Sequence, residues 1–96
     1  MIILSVLLRT PPAEIDALRP AMAEVIKASR AERGCRFYTL AQDMADPGVI
    51  RAFEIYDDDA ALAAHGASDH FKAWRAASGH YPREERRLFD ATERTS

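Results

Sequence analysis

The sequence predicts an α+β domain of the ferredoxin-like, split βαβ kind, a four-stranded antiparallel sheet with its helices on one face. Three observations carry that prediction. Strand-like and helix-like segments follow one another as strand, helix, strand, strand, helix, strand, which is the order of a split βαβ domain. The first segment, Met1-Ile2-Ile3-Leu4-Ser5-Val6-Leu7-Leu8, is apolar at nearly every position, as in a strand buried on both faces. The chain has 96 residues, near the low end of what buries a self-sufficient core, so residues 1–96 form one domain. Two helices cover only one face of such a sheet, yet the first and third strands are apolar on both. Burial of the second face therefore calls for another copy of the same sheet, packed face to face as a homodimer, a dimeric α/β barrel.

Each element has its own signal. Thr10-Pro11-Pro12 stops the first strand and opens a helix, with Thr10 or Pro12 near its start. Ile15, Leu18, Met22, Val25 and Ile26 then recur at three- and four-residue steps and make a single apolar face. Pro20 falls on the opposite, wet side, where a kink is expected, and Gly34 reads as the stop. Cys35 to Met44 and Val49 to Tyr56 read as a hairpin about the turn Ala45-Asp46-Pro47-Gly48. An acid from Asp57-Asp58-Asp59 is expected to cap a short helix through Leu62 and His65, which Gly66 breaks. Ser68 caps the next helix, with Phe71, Trp74 and Ala77 on one side. Ser78 to Pro82 reads as a loop, the run Arg83-Glu84-Glu85-Arg86-Arg87 as a charged approach, and Leu88 to Thr92 as a weaker last strand.

Bulk properties exclude several classes. A net charge of −2 carries no footprint for nucleic acid. One cysteine, Cys35, forms no intramolecular disulfide and reads as a small buried apolar residue. The apolar start lacks a basic leader and a cleavage site and is too short to span a bilayer, so the expectation is a soluble, cytoplasmic protein away from membranes.

The candidate catalytic residues are ionisable groups in apolar surroundings. His65 closes a short helix three residues after Leu62, facing inward, where an imidazole takes a proton near neutral pH. Its bland reading is a bond to a backbone carbonyl. Glu54 sits between Phe53 and Ile55 inside an apolar strand, so its carboxylate needs a partner or a cavity wall. It either orients His65 or binds a hydroxyl, or else pairs with Arg36 or Arg51. Tyr38 on the neighbouring strand lines the same place or fills core. Phe71 and Trp74 share a helical face suited to a flat aromatic; with His70 and Phe53 they form the candidate substrate-binding set. His65 and His70 are five apart with Gly66 between, poor spacing for joint metal ligation on one helix. The acidic triplet lacks the glycine and distal glutamate of a calcium loop. No phosphate loop or nucleophile elbow is present.

Taken together, Gly34-Cys35, Tyr38, Glu54, Tyr56, Asp57, His65 and Ser68-Asp69-His70-Phe71 resemble the antibiotic biosynthesis monooxygenase family in order and spacing over nearly the whole chain. Tyr56 stands where a tryptophan is common. The resemblance implies oxidation of a quinol, phenol or anthrone-like aromatic by molecular oxygen, with no metal, flavin or other cofactor. His65 would be the base, Glu54 and Tyr38 would orient its imidazole or the substrate oxygen, and Phe71 and Trp74 would line the cavity. Haem-degrading relatives fit poorly. They use an asparagine in the first strand, and Met1 to Arg9 holds none; their tryptophan and histidine positions fall at His65 and Arg75. The residues alone also admit a non-catalytic dimer that binds a small aromatic ligand, or an isomerase using the same histidine.

Overall fold

A computed structural model describes residues 1–95. Strands β1 (Ile2–Arg9), β2 (Cys35–Gln42), β3 (Val49–Tyr56) and β4 (Arg83–Asp90) are joined through helices α1 (Ile15–Arg30), α2 (Asp59–Gly66) and α3 (Asp69–Ser78). The strands lie in the order β2-β3-β1-β4, every neighbouring pair antiparallel. This is the split βαβ architecture that the element order predicts.

The core forms where the two apolar patterns meet. Ile15, Leu18, Met22 and Val25 of α1 are buried against Leu8, Tyr38, Ile50 and Trp74, with Ile26 half-buried beside them. The helix begins later than Thr10 or Pro12. A short 3-10 turn, Pro12–Glu14, uses the fixed proline angle first, and the α-helical ladder starts at Ile15. Pro20 lies within α1 on its exposed side, and the helix runs on past it to Arg30.

Gly34 is not the stop of α1. The helix ends at Arg30 with Ala31 as a right-handed cap, and no glycine among the described residues has a positive φ. Packing explains this glycine instead, because a β-carbon at position 34 would overlap that of Ala61 on α2. Gly34→Val is expected to destabilise the fold by about 1–3 kcal/mol, the usual result of overpacking, and a urea midpoint would show it.

Two strand boundaries also differ from expectation. β2 stops at Gln42 rather than Met44, because Asp43 Oδ1 accepts the amides of Ala45 and Asp46 at 2.8 and 3.0 Å and turns the chain. The charged run Arg83 to Arg87 is no approach loop but most of β4, which ends at Asp90 before Thr92. An edge strand tolerates charge on both faces, and pairing with β1 overrides its weak intrinsic preference.

One sheet face carries α1, α2 and α3, and in the single chain the other is open. Across the open face the register aligns Phe37, Ile55, Ile3 and Phe89 in one apolar row over all four strands. Phe37 is 45% exposed, Phe89 48% and Phe53, edge-on to Phe37, 39%. β1 is therefore not fully buried on both faces: Leu4 and Leu8 on the helix side and Leu7 on the other are buried, while Ile2, Ile3, Ser5 and Val6 stay partly exposed. Among the described residues no helix is long and apolar enough to cross a membrane.

Candidate active site

Two caps fix the α2–α3 corner. Asp58 accepts the amide of Ala61 at 2.9 Å and starts α2, as an acid of the triplet should. Ser68 accepts the amide of Phe71 at 3.2 Å to start α3, while its hydroxyl donates to the His65 carbonyl at 2.6 Å. One side chain therefore ends the turn that carries His65 and begins the helix that carries His70, Phe71 and Trp74.

Between this corner and the sheet lies a cavity of ≈ 300 Å³. The sheet contributes Leu4, Val6, Leu8, Tyr38, Leu40, Ile50, Ala52 and Glu54; the helices contribute Leu62, His65, Phe71, Trp74 and Arg75. Arg83 and Arg86 of β4 complete the wall. The volume lies at the low end of small-molecule sites, and the wall is apolar with a few convergent polar groups.

His65 is 3% exposed and sits amid aromatic rings, with those of Tyr38, Tyr56 and Phe71 at 5.3–5.4 Å between centroids. Its Nδ1 bonds Glu32 Oε2 at 2.7 Å rather than a backbone carbonyl. An ionised carboxylate only accepts, so Nδ1 carries the proton and a neutral His65 presents the Nε2 lone pair. That nitrogen lies on the Glu54 side, 3.8 Å from Oε1. Glu54 in turn accepts the Tyr56 hydroxyl at 2.6 Å. It pairs with neither Arg36 nor Arg51, whose guanidiniums hold Asp57 at 2.5 Å and Asp43 at 3.0 Å.

His70 Nε2 also bonds Glu32 Oε2. The break between α2 and α3 brings together two imidazoles that a single helix would have held apart. The ligand atoms of Glu32, His65 and His70 lie within 4.8 Å of one another, so they are the residues that could hold a metal ion. The two N–H groups donating to one carboxylate already account for the cluster. The functional consequence is a His65 ring fixed in both orientation and tautomer.

Burial and charge shape the rest. Burial raises the Glu54 carboxyl above its usual range, opposed by the Tyr56 hydrogen bond and, when the ring has taken a proton, by the charge of His65. The Tyr38 and Tyr56 phenols are pushed well up, first by burial and then by the Glu54 charge, so both stay protonated. A carboxyl with a raised folded-state pKa contributes stability below its unfolded pKa, and that contribution is lost as pH rises through the folded value. Glu54→Gln is therefore expected to melt higher than the parent chain at about pH 8, with the difference vanishing near pH 4. Each kcal/mol gained would appear as about 4–8 °C in a melting scan.

Of the residues singled out in the sequence, Tyr38, Glu54, His65, Phe71 and Trp74 meet around the one cavity. His70 lies behind it, on Glu32. Phe53 does not join them: the strand alternation that turns Glu54 inward turns Phe53 to the open face. Sequence reasoning missed Glu32, which follows α1 among charged neighbours and looks solvated, and the three cavity arginines. Their only available signal was position, Arg75 one residue after Trp74 and Arg83 and Arg86 at a three-residue interval.

Comparison with known proteins places this geometry. Residues 1–77 match the family model described as antibiotic biosynthesis monooxygenase. Rv0793 of Mycobacterium tuberculosis, provisionally named a monooxygenase, is 40% identical over 68 residues, 71% of this chain and 66% of that protein, just under two thirds of its length. The solved structure of Rv0793 superposes with a TM-score of 0.85 at 28% identity, covering 99% of this chain and 98% of that one. A crystal structure of an antibiotic biosynthesis monooxygenase gives 0.87 at 29% identity, with 97% and 100% covered. With four-fifths of its length matched by the family model and the whole fold shared, the chain belongs to the antibiotic biosynthesis monooxygenase family.

Proposed function

We propose that the chain is a monooxygenase for an electron-rich hydroxyarene, a quinol, phenol or anthrone-like aromatic, and that it needs no bound cofactor. The observation that carries this reading is the fixed His65, tied through Nδ1 to Glu32 with Nε2 on the cavity side. Family membership supports oxygenation as the class of chemistry.

A hydroxyarene is a poor electron donor until it loses its proton, and its ordinary pKa near 10 keeps it protonated at neutral pH. His65 Nε2 takes that proton, as a positioned general base does. The resulting anion passes one electron to molecular oxygen, and the radical pair combines into a carbon–oxygen bond. Loss of water from the hydroperoxide leaves a carbonyl, so a methylene plus O₂ becomes C=O plus H₂O, and at a ring position an arene C–H and the phenolic O–H plus O₂ become two C=O groups plus H₂O. The substrate is its own reductant. Apolar walls from Leu62, Phe71 and Trp74 hold the pair and exclude water. Protonated Tyr38 and the Tyr56–Glu54 pair offer polar contacts for the substrate oxygen.

We also propose that the open face is covered by a second copy of the chain. The row Phe37, Ile55, Ile3 and Phe89 supports this, since it meets its own kind in a twofold, face-to-face arrangement. The functional test is oxygen uptake by metal-free protein with a panel of hydroquinones and anthrones, beside a His65→Ala variant. Uptake above autoxidation that the variant loses is expected. No uptake across the panel overturns the reading in favour of ligand binding or isomerisation at the same cavity.

A further inference from the structure

Residues three apart in a regular strand point to opposite faces of its sheet. Arg83 and Arg86 nevertheless both line the cavity. The cause is a bulge in β4. Ser5 of β1 pairs with Arg87, but Leu7 pairs with Glu84, so Glu85 and Arg86 together oppose Val6. Glu85 makes the bulge in the left-handed region, at φ 52°, an uncommon position for a residue with a β-carbon. The extra residue resets the alternation. Glu85 and Arg87 then lie beside Ser5 and Arg51 on the open face, and Arg86 joins Arg83 on the cavity side. Bulges beside functional sites re-aim side chains in this way.

Arg75 of α3 brings a third guanidinium to the same wall. Arg83 is held by neutral acceptors, the Ser78 carbonyl at 2.5 Å, the Tyr81 carbonyl at 3.1 Å and Ser78 Oγ at 2.6 Å. Those bonds orient it without neutralising it. Among the described residues, none of the three arginines has a carboxylate within 4.0 Å, although Arg9, Arg19, Arg36 and Arg51 each do. Burial and the charge of Arg75 both disfavour the charged form of Arg83. Arg75 and Arg83 repel one another at this wall, and guanidiniums without a carboxylate of their own, Arg83 partly buried and Arg75 and Arg86 at the exposed rim, are what an anionic ligand group engages.

We propose that the substrate is a hydroxyarene bearing a carboxylate, its ring held by Phe71 and Trp74 and its carboxylate by Arg75, Arg83 and Arg86. This rests on the aromatic-substrate reading above and adds the charge of the substrate to it. The test is anaerobic calorimetric titration, which needs no turnover, with 2,5-dihydroxybenzoic acid and with 2,5-dihydroxybenzamide. The two share ring and hydroxyls and differ in charge. The acid is expected to bind at least about tenfold more tightly, with the advantage shrinking as salt rises. Arg86→Gln and Arg75→Gln, each checked for native circular dichroism, are expected to remove most of that advantage by weakening the acid far more than the amide. Equal affinities, no binding of the acid at millimolar concentration, or an advantage that survives both substitutions overturns the proposal. Oxygen uptake is read separately. A preferred acid that is bound but not oxidised counts against the monooxygenase reading and leaves the anion subsite standing.

Discussion

Oxygen-dependent turnover of a hydroquinone is expected to fall by about 10²–10⁴-fold in His65→Ala, the range that removal of a positioned base produces. The alanine leaves much of the α2–α3 corner in place. Glu32 keeps its bond to His70, so the α2–α3 corner retains one of its two ties to the loop after α1. Ser68 still caps α3 and still binds the carbonyl of residue 65, because both bonds engage backbone. The cavity gains volume and loses its only imidazole. Nearby, Tyr38 and Tyr56 hold their protons too tightly to act as the base. Steady-state oxygen uptake with matched autoxidation controls checks the outcome, and an unchanged rate would remove His65 from the chemistry. Thermal melting accompanies it, since a buried side chain is being deleted.

A second large effect is expected from the open sheet face. The parent chain should sediment at twice its chain mass, and a Phe37→Asp, Phe53→Asp double variant at the single-chain mass. Each half-exposed phenylalanine stabilises an assembly by about 1 kcal/mol when covered. In a twofold contact each such contribution occurs twice. In the proposed twofold contact, an aspartate at either position would bring an unpaired charge into the apolar seam. Sedimentation equilibrium over a range of concentrations is the measurement. A parent chain that stays single at all of them would show that something other than a second copy covers this face.

The fold was legible because its two largest patterns are dictated by burial. The apolar run from Ile2 to Leu8 and the three- and four-residue steps from Ile15 to Val25 each have one good solution, and they meet in the same core. The boundaries were less legible. Thr10 and Pro12 look like a helix start, yet a 3-10 turn takes up the prolines first. Gly34 looks like a helix stop, yet its reason is the nearness of Ala61, twenty-seven positions away in one dimension and touching in three.

The site divides in the same manner. His65, Glu54 and Tyr38 stood out because each is a polar group where its neighbours demand an apolar one. Glu32 did not, because it follows α1 between Arg30 and Arg33 with no large apolar neighbour to mark it; only the approach of α2 makes it the partner of two histidines. Phe53 was misplaced although strand parity already separates it from Glu54. The clustering of Arg83 with Arg86 was unreadable for the opposite reason: parity forbids it, and the bulge that evades parity uses a glutamate where a glycine would have announced it.

The same β4 has a bearing on how copies of this chain meet. A sheet's outer strand is a template on which further strands can add without end, and every copy would offer the next one the same template. Here that strand carries five charged side chains in succession and a kink at Glu85, so an incoming backbone finds neither a flat line of partners nor a neutral one. The apolar surface lies a quarter-turn away, on the face, where a self-complementary contact is satisfied by one mate and then finished. Sideways growth is discouraged by charge and face-on growth by symmetry. With the proposed second copy on that face, association would end in small, closed particles rather than fibres.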